Sequence, residues 1–228
     1  TPIKSSAASD VYKRQDFHML FGSVNNIEVL YNTIESEYIR KKAADVITDK
    51  RFTDYSGIKI CAVGKISQRK GFMRLARIHQ RLRNKGYEYH TYILGVGSEQ
   101  EKIEKYLKEN QLTESFIFLG YDENPYKFVK QSDMFVCSSL SEGFSTAATE
   151  ALIVGTPVVT TMCAGMQELL GCDNEYGIIT GNDEYDLEKG IERLLADNKL
   201  LEYYREKAVI RGHRFETDAT VKAVENMP

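Results

Sequence analysis

The sequence predicts an α/β fold, a Rossmann-like doubly wound parallel sheet of about six strands. Three observations carry that prediction. Short apolar runs alternate with helical stretches from Ile58 onward. Most of those runs are apolar throughout rather than alternating, as strands buried on both faces are. The segments that follow the runs are rich in Gly, Ser and charge, and in such sheets ligands sit at the carboxyl ends of the strands.

Taken in order, Asn26 to Asn32 reads as a strand and Ile34 to Ile47 as a helix or turn-helix. Phe52 to Gly57 reads as a loop. Ile58 to Gly64 is a continuous apolar strand. Phe72, Leu75, Ala76, His79 and Leu82 recur at helical spacing, and Gly86 ends that helix. The remaining strands are Tyr89–Leu94, Phe116–Leu119, Met134–Cys137, Pro157–Thr160 and Gly177–Thr180. Between and after them come helices over Glu99–Asn110, Pro125–Gln131, Ser145–Val154, Gln167–Leu170, Asp186–Ala196 and Lys199–Arg211.

The 228-residue chain has an ordinary globular balance, 42% hydrophobic and 28% charged, with a formal net charge of −3. No strongly basic face is implied, so no nucleic-acid partner is expected. No apolar run approaches the length of a membrane-spanning helix. The four cysteines, Cys61, Cys137, Cys163 and Cys172, lack metal or CxxC spacing. Cys61 and Cys137 lie in apolar strands and read as reduced core residues, which fits a cytoplasmic setting. Residues 1–15 are polar, aperiodic and without a signal-like apolar stretch, and are expected to be a non-native or disordered tail. No metal is expected, because there is no Asp-x-Asp pair and no His cluster. His79 reads as a core histidine, and His18, His90 and His213 are isolated.

The most informative segment runs from Ser138 to Glu150. A strand ends in a small-residue loop, then come Glu142 and Gly143, then a helix beginning near Ser145. Glu150 follows Glu142 with seven residues between them. The first-turn amides of Phe144, Ser145, Thr146 and Ala147 face an unpaired helix N-terminus, which favours a bound anion such as a diphosphate. Ser145 also suits a plain N-cap role, and one cap leaves other amides open. Carboxylates only accept hydrogen bonds, and sugars are rich in hydroxyl donors. The combination suits a nucleotide sugar. A second loop, Gly64-Lys65-Ile66-Ser67-Gln68-Arg69-Lys70-Gly71, places cations at another strand end, where they would stabilise charge on a leaving diphosphate. Taken alone, the same loop could be a solvated basic turn. Glu142 could instead pair with Lys65 or Lys70, and Glu150 could lie on a solvated helix face.

Glu142 to Glu150 resembles the E-x7-E motif of retaining GT-B glycosyltransferases of family GT4, and the likeness extends over roughly residues 26–215. The resemblance implies that the chain is one half of a GT-B fold, the C-terminal half that holds the donor. It implies that Lys65 and Lys70 neutralise the diphosphate. Amides of the Phe144–Ala147 turn seat it, Glu142 faces the donor sugar, and Glu150 accepts from the ribose. The family has Arg where this chain has Lys65, which keeps charge and loses bidentate geometry. Leu94-Gly95-Val96-Gly97-Ser98-Glu99 is the family's Gly-rich turn. Gln100 stands where a dinucleotide fingerprint needs Gly, so that motif fails. Tyr121, after the third strand, lies where the base packs and could stack on it; an exposed loop tyrosine is the plainer reading.

The domain reading follows. Residues 1–15 are tail, 16–57 a remnant of an N-terminal domain and crossover, 58–212 the donor nucleotide-sugar domain, and 213–228 a segment directed to the absent domain. Implied partners are a nucleotide sugar and an N-terminal acceptor domain, through which the protein would associate peripherally with a membrane. No cofactor is implied beyond the donor substrate. A non-catalytic nucleotide-sugar-binding module working with a separate chain is the alternative, as is another GT-B activity such as a sugar-nucleotide epimerase.

Overall fold

The computed structural model describes residues 35–215. The strand expected over Asn26–Asn32, the tail at 1–15 and most of the 213–228 segment lie outside them. The described chain opens with α1 (Ser36–Lys42) and α2 (Lys50–Thr53). It continues through β1 (Ile58–Val63), α3 (Phe72–Asn84), β2 (Tyr89–Leu94), α4 (Gln100–Glu109), β3 (Phe116–Gly120) and α5 (Tyr126–Lys130). Then come β4 (Met134–Cys137), α6 (Thr146–Ile153), β5 (Val158–Thr161), α7 (Met166–Leu170), β6 (Ile178–Thr180), α8 (Glu184–Ala196) and α9 (Asn198–His213).

All six strands pair in parallel, in the order β3-β2-β1-β4-β5-β6. The order reverses between β1 and β4, so a crevice opens at their carboxyl ends. Successive strand residues feed two cores. Ile60, Ala62, Met134 and Val136 join Leu75, Ile78, Leu82 and Ile191 on one face. Cys61, Phe135 and Cys137 join Phe128, Leu152, Leu169 and Ala208 on the other. Both strand faces are therefore apolar, which is why the strand patterns do not alternate.

The expected loop at Phe52 is corrected by the structure. Asp49 caps α2 by accepting from Arg51 N at 2.9 Å. Phe52 is buried against Tyr92 and Phe128, with ring centroids 4.7 and 5.2 Å away. A four-residue helix is too short to show periodicity. Helix α8 begins earlier than expected because the Asp183 carboxylate accepts from Asp186 N at 2.8 Å. His79 is a core residue, its ring nitrogens 3.0 Å from Thr91 Oγ1 and 2.9 Å from Ser115 Oγ. Burial pushes its pKa down to about 3.

Helices α3 and α8 are also tied by charge. Arg77 bonds Glu184, Arg81 reaches Glu184 (3.2 Å) and Glu188 (2.5 Å), and Lys85 reaches Glu188 (2.8 Å) and Glu192 (2.9 Å). Cations at positions 77, 81 and 85 face carboxylates at 184, 188 and 192, so a helical spacing of four on each side keeps the two rows in register. Among the described residues no helix is long and apolar enough to cross a membrane.

Candidate functional site

The strands on either side of the crevice deliver most of the predicted residues. β1 ends as Gly64 N donates to Leu94 O at 2.9 Å, and the chain turns through Lys65 to a 3₁₀ turn at Gln68–Lys70. β4 runs into the loop that ends at Ser145, the cap of α6. The two loops are tied together. Leu140 N donates to Arg69 O (2.8 Å), and Ser138 Oγ donates to Lys70 O (2.9 Å). Such a close approach needs Gly71, whose φ is 69° and where a Cβ would sit 2.1 Å from Ser138 O.

Between the loops lies a charge pair. Lys70 Nζ bonds Glu142 Oε1, which also accepts from Ser139 Oγ at 2.8 Å. Only 18% of the Lys70 side chain and 8% of that of Glu142 are exposed. Glu142 is thus paired with Lys70. Removing both charges from water is costly, and the Ser139 hydroxyl offsets part of that cost. Gly64 makes room for this arrangement, since a Cβ there would lie 3.3 Å from Lys70 Cε. Lys65 is exposed in the same loop, with no carboxylate partner among the described residues.

Ser145 takes extended backbone angles (φ −79°, ψ 106°), and its Oγ accepts from Ala148 N at 3.3 Å. The amides of Thr146 and Ala147 lie in the first turn, where no intrahelical acceptor exists. Thr146 is exposed, so this turn opens to solvent. Gly143 and Phe144 precede the cap. The Phe144 ring meets Phe215 edge-on at 6.5 Å, and Gly165 packs beside it.

One turn into α6, Glu150 is half-buried rather than on a solvated face. The Tyr126 hydroxyl of α5 donates to its Oε1 at 3.5 Å. Burial pushes the Glu150 carboxyl up to about 7, and the Tyr126 bond offsets only part of that. The Tyr126 phenol is pushed up to about 12, first by burial and then by the Glu150 charge. Tyr121 stands at the end of β3 with 74% of its surface exposed, and no ring or hydrogen-bond partner for it occurs among the described residues. The structure thus gathers Gly64, Lys70, Glu142 and the Gly143–Ala147 turn at the crevice, sets Glu150 one turn into α6 beside Tyr126, and leaves Lys65 and Tyr121 in solvent.

Sequence reasoning missed three residues. Arg74, in the first turn of α3, is buried and donates to the Ser138 and Ser139 carbonyls. Asn182, after β6, donates to Leu140 O at 3.0 Å. Tyr126 touches Glu150. Arg74 borders the apolar stripe of its helix, one turn before buried Ile78, but an arginine at a stripe edge ordinarily extends to water, so the sequence carried no signal for its burial. A cavity of about 350 Å³ opens beside this group, lined by Gln68, Arg74, Arg77, Lys102, Leu140 and Asn182 among others. Its cations are engaged, Arg77 by Glu184 and Lys102 by Glu99 at 3.5 Å. Among the described residues no cluster of three or more His, Cys, Asp or Glu is placed to hold a metal.

Comparison with known proteins gives a consistent picture. The family described as glycosyl transferases group 1 matches residues 46–211. The N-acetylgalactosamine-N,N'-diacetylbacillosaminyl-diphospho-undecaprenol 4-alpha-N-acetylgalactosaminyltransferase of Campylobacter jejuni is 33% identical over 197 residues, covering 85% of this chain and 51% of its own length. The lipopolysaccharide core biosynthesis glycosyltransferase LpsE of Rhizobium meliloti is 29% identical over 155 residues, covering 68% and 43%. The chain spans about half the length of these curated relatives. In fold, it is similar to Anabaena HepE in complex with UDP (TM-score 0.79, 17% identity, 93% of this chain and 60% of that one). It is also similar to sucrose-phosphate synthase from Thermosynechococcus elongatus (TM-score 0.76, 18% identity, 94% and 55%).

Proposed function

We propose that this chain, which belongs to the glycosyl transferases group 1 family, is the donor-binding half of a retaining GT-B glycosyltransferase of the GT4 type. Its donor is a UDP-sugar, and its acceptor a glycan or lipid-linked glycan of cell-envelope polysaccharide synthesis. One observation carries the reading: Lys70, Glu142 and the capped N-terminus of α6 meet at the carboxyl ends of β1 and β4, where the strand order reverses. Support for the donor comes from the UDP held by Anabaena HepE and by Staphylococcus aureus TarM. Support for the acceptor comes from the names of the Campylobacter and Rhizobium relatives.

In this reading the Thr146 and Ala147 amides seat the diphosphate at the positive end of α6. Lys70 and Lys65 stabilise the charge that grows on it as the glycosidic bond breaks. Lys70 then exchanges Glu142 for phosphate oxygens, and the released Glu142 accepts from sugar hydroxyls. Glu150 accepts from the ribose. The loops after β2 to β5 expose Val96, Tyr121, Leu140 and Met162, a broken apolar rim suited to a second domain that brings the acceptor. Transfer needs that domain, and its attachment would also set any peripheral membrane contact from the cytoplasmic side. No metal is required, since lysines and helix amides supply the positive charge.

Calorimetric titration with UDP and GDP tests the proposal. UDP binding, weakened at least about tenfold in Glu150→Ala and in Lys65→Ala/Lys70→Ala, is the expected result, each change removing hydrogen bonds to charged groups. Equal binding by folded variants would defeat the site assignment.

A further inference from the structure

We infer that Arg74 is a positioning residue for Glu142, acting through the carbonyls of the loop that carries it. The inference rests on the donor-site reading above. Arg74 is only 5% exposed, yet no carboxylate among the described residues lies within ion-pair distance of its guanidinium. A buried guanidinium is ordinarily placed against an acid. Here its donors go to amide oxygens instead. Nε reaches Ser138 O and Nη2 reaches Ser139 O, both at 2.6 Å. Nη1 reaches Asn182 O at 2.9 Å, and both terminal nitrogens lie 3.2 Å from Asn182 Oδ1.

Asn182 completes the lock, because its Nδ2 donates to Leu140 O at 3.0 Å. Thr161 Oγ1 adds a bond to Ser139 O at 2.6 Å. Three consecutive carbonyls of the loop are therefore held by α3, by β5 and by the turn after β6. Charge-assisted bonds of this length are strong and directional. Their consequence reaches Glu142 directly, since Ser139, whose carbonyl is fixed, sends its hydroxyl to the Glu142 carboxylate. Helix α6 and Glu150 are held by other means, the Ser145 cap and the packing of α6 on α5 and α9. Loosening Arg74 therefore displaces the group that meets the sugar and spares the group that meets the ribose.

The test uses Arg74→Met, Arg74→Lys and Asn182→Ala in the full chain. Hydrogen–deuterium exchange is followed over residues 134–150, and UDP, UDP-glucose and UDP-N-acetylgalactosamine are titrated as probes. In Arg74→Met the loop amides are expected to exchange about tenfold faster while the sheet is unchanged, one strong hydrogen bond corresponding to roughly that factor. UDP affinity should hold within about threefold, while UDP-sugar affinity falls about tenfold further, because only the sugar contacts are lost. Lysine, which can reach one carbonyl, should restore part of the difference. Asn182→Ala should move both readouts the same way and serves if the Met variant does not fold. Wild-type exchange rates in a folded variant would overturn the anchoring. Faster exchange with an unchanged ratio of UDP-sugar to UDP affinity would make Arg74 merely structural and overturn the positioning role. If the wild-type chain binds none of the three probes, the donor-site reading fails, and with it the positioning claim, while the exchange rates still decide the anchoring.

Discussion

Replacing Glu150 by Gln should make the protein clearly more stable at pH 8 and change its stability by less than about 1 kcal/mol at pH 5. The carboxyl is half-buried, with the Tyr126 hydroxyl at 3.5 Å its hydrogen-bond donor among the described residues. Its pKa stands at about 7 against a reference of 4.5. Between those values the folded state keeps a proton that the unfolded chain has released, so stability falls as pH rises. The favourable balance is fully present below about pH 4.5 and is lost as pH climbs through 7. A gap of roughly 2.5 pH units at 1.36 kcal/mol each comes to about 3 kcal/mol. Gln has the same shape and no proton to lose, so it escapes the penalty. For a domain of this size the gain corresponds to roughly 6–12 °C in Tm at pH 8. Urea unfolding of both proteins at pH 5, 6, 7 and 8, with constant m-values, isolates the term as a difference profile. Parallel profiles would refute the reasoning, as would a variant that is less stable at pH 8. The same variant should bind UDP about tenfold more weakly, since the amide carries no charge and puts an NH2 donor where the carboxylate has its second acceptor oxygen for the ribose hydroxyls. A group that costs stability and is repaid in binding is what a functional carboxylate looks like.

Three further outcomes are expected. UDP binding near pH 7 should release protons, because hydrogen bonds from the ribose favour the ionised form of Glu150. Calorimetry in two buffers of different ionisation enthalpy reads that release, and Glu150→Gln should reduce it. Glu188→Ala should cost about 1 kcal/mol in urea unfolding at neutral pH, since it takes one of two carboxylate partners from Arg81 and from Lys85, which keep Glu184 and Glu192. Burial alone would raise the Glu188 carboxyl, but bonds from Lys85 and Arg81 outweigh it and hold it low. Its contribution is thus present above about pH 4.5 and lost as pH falls below, and the variant should lose less stability on acidification. Ser145→Ala should cost about 1 kcal/mol by leaving the Ala148 amide uncapped, measured by the shift in urea midpoint.

The crevice was legible because its parts are local. Gly64–Gly71 and Ser138–Glu150 are each one continuous strand-to-helix connection, and a helix N-terminus advertises itself through a cap residue and small neighbours. The short helix at Lys50–Thr53 was not legible, since a single turn has no period to detect and its Phe52 is buried by distant Tyr92 and Phe128. Neither was Tyr126, whose meaning depends on α5 packing beside α6.

The order of residues by itself determined the alternation of strands and helices, the two-faced burial of the sheet and the identity of the loops at its carboxyl edge. Those follow from hydrophobic periodicity and turn chemistry, which act over a few residues. Only the tertiary structure decided that Lys70 closes on Glu142, that Glu150 is desolvated, and that Arg74 serves carbonyls rather than a carboxylate. Each of these depends on groups tens of residues apart brought within bonding distance, and on how much water the intervening packing removes. Burial sets the energy of a charge, and burial is a property of the assembled fold.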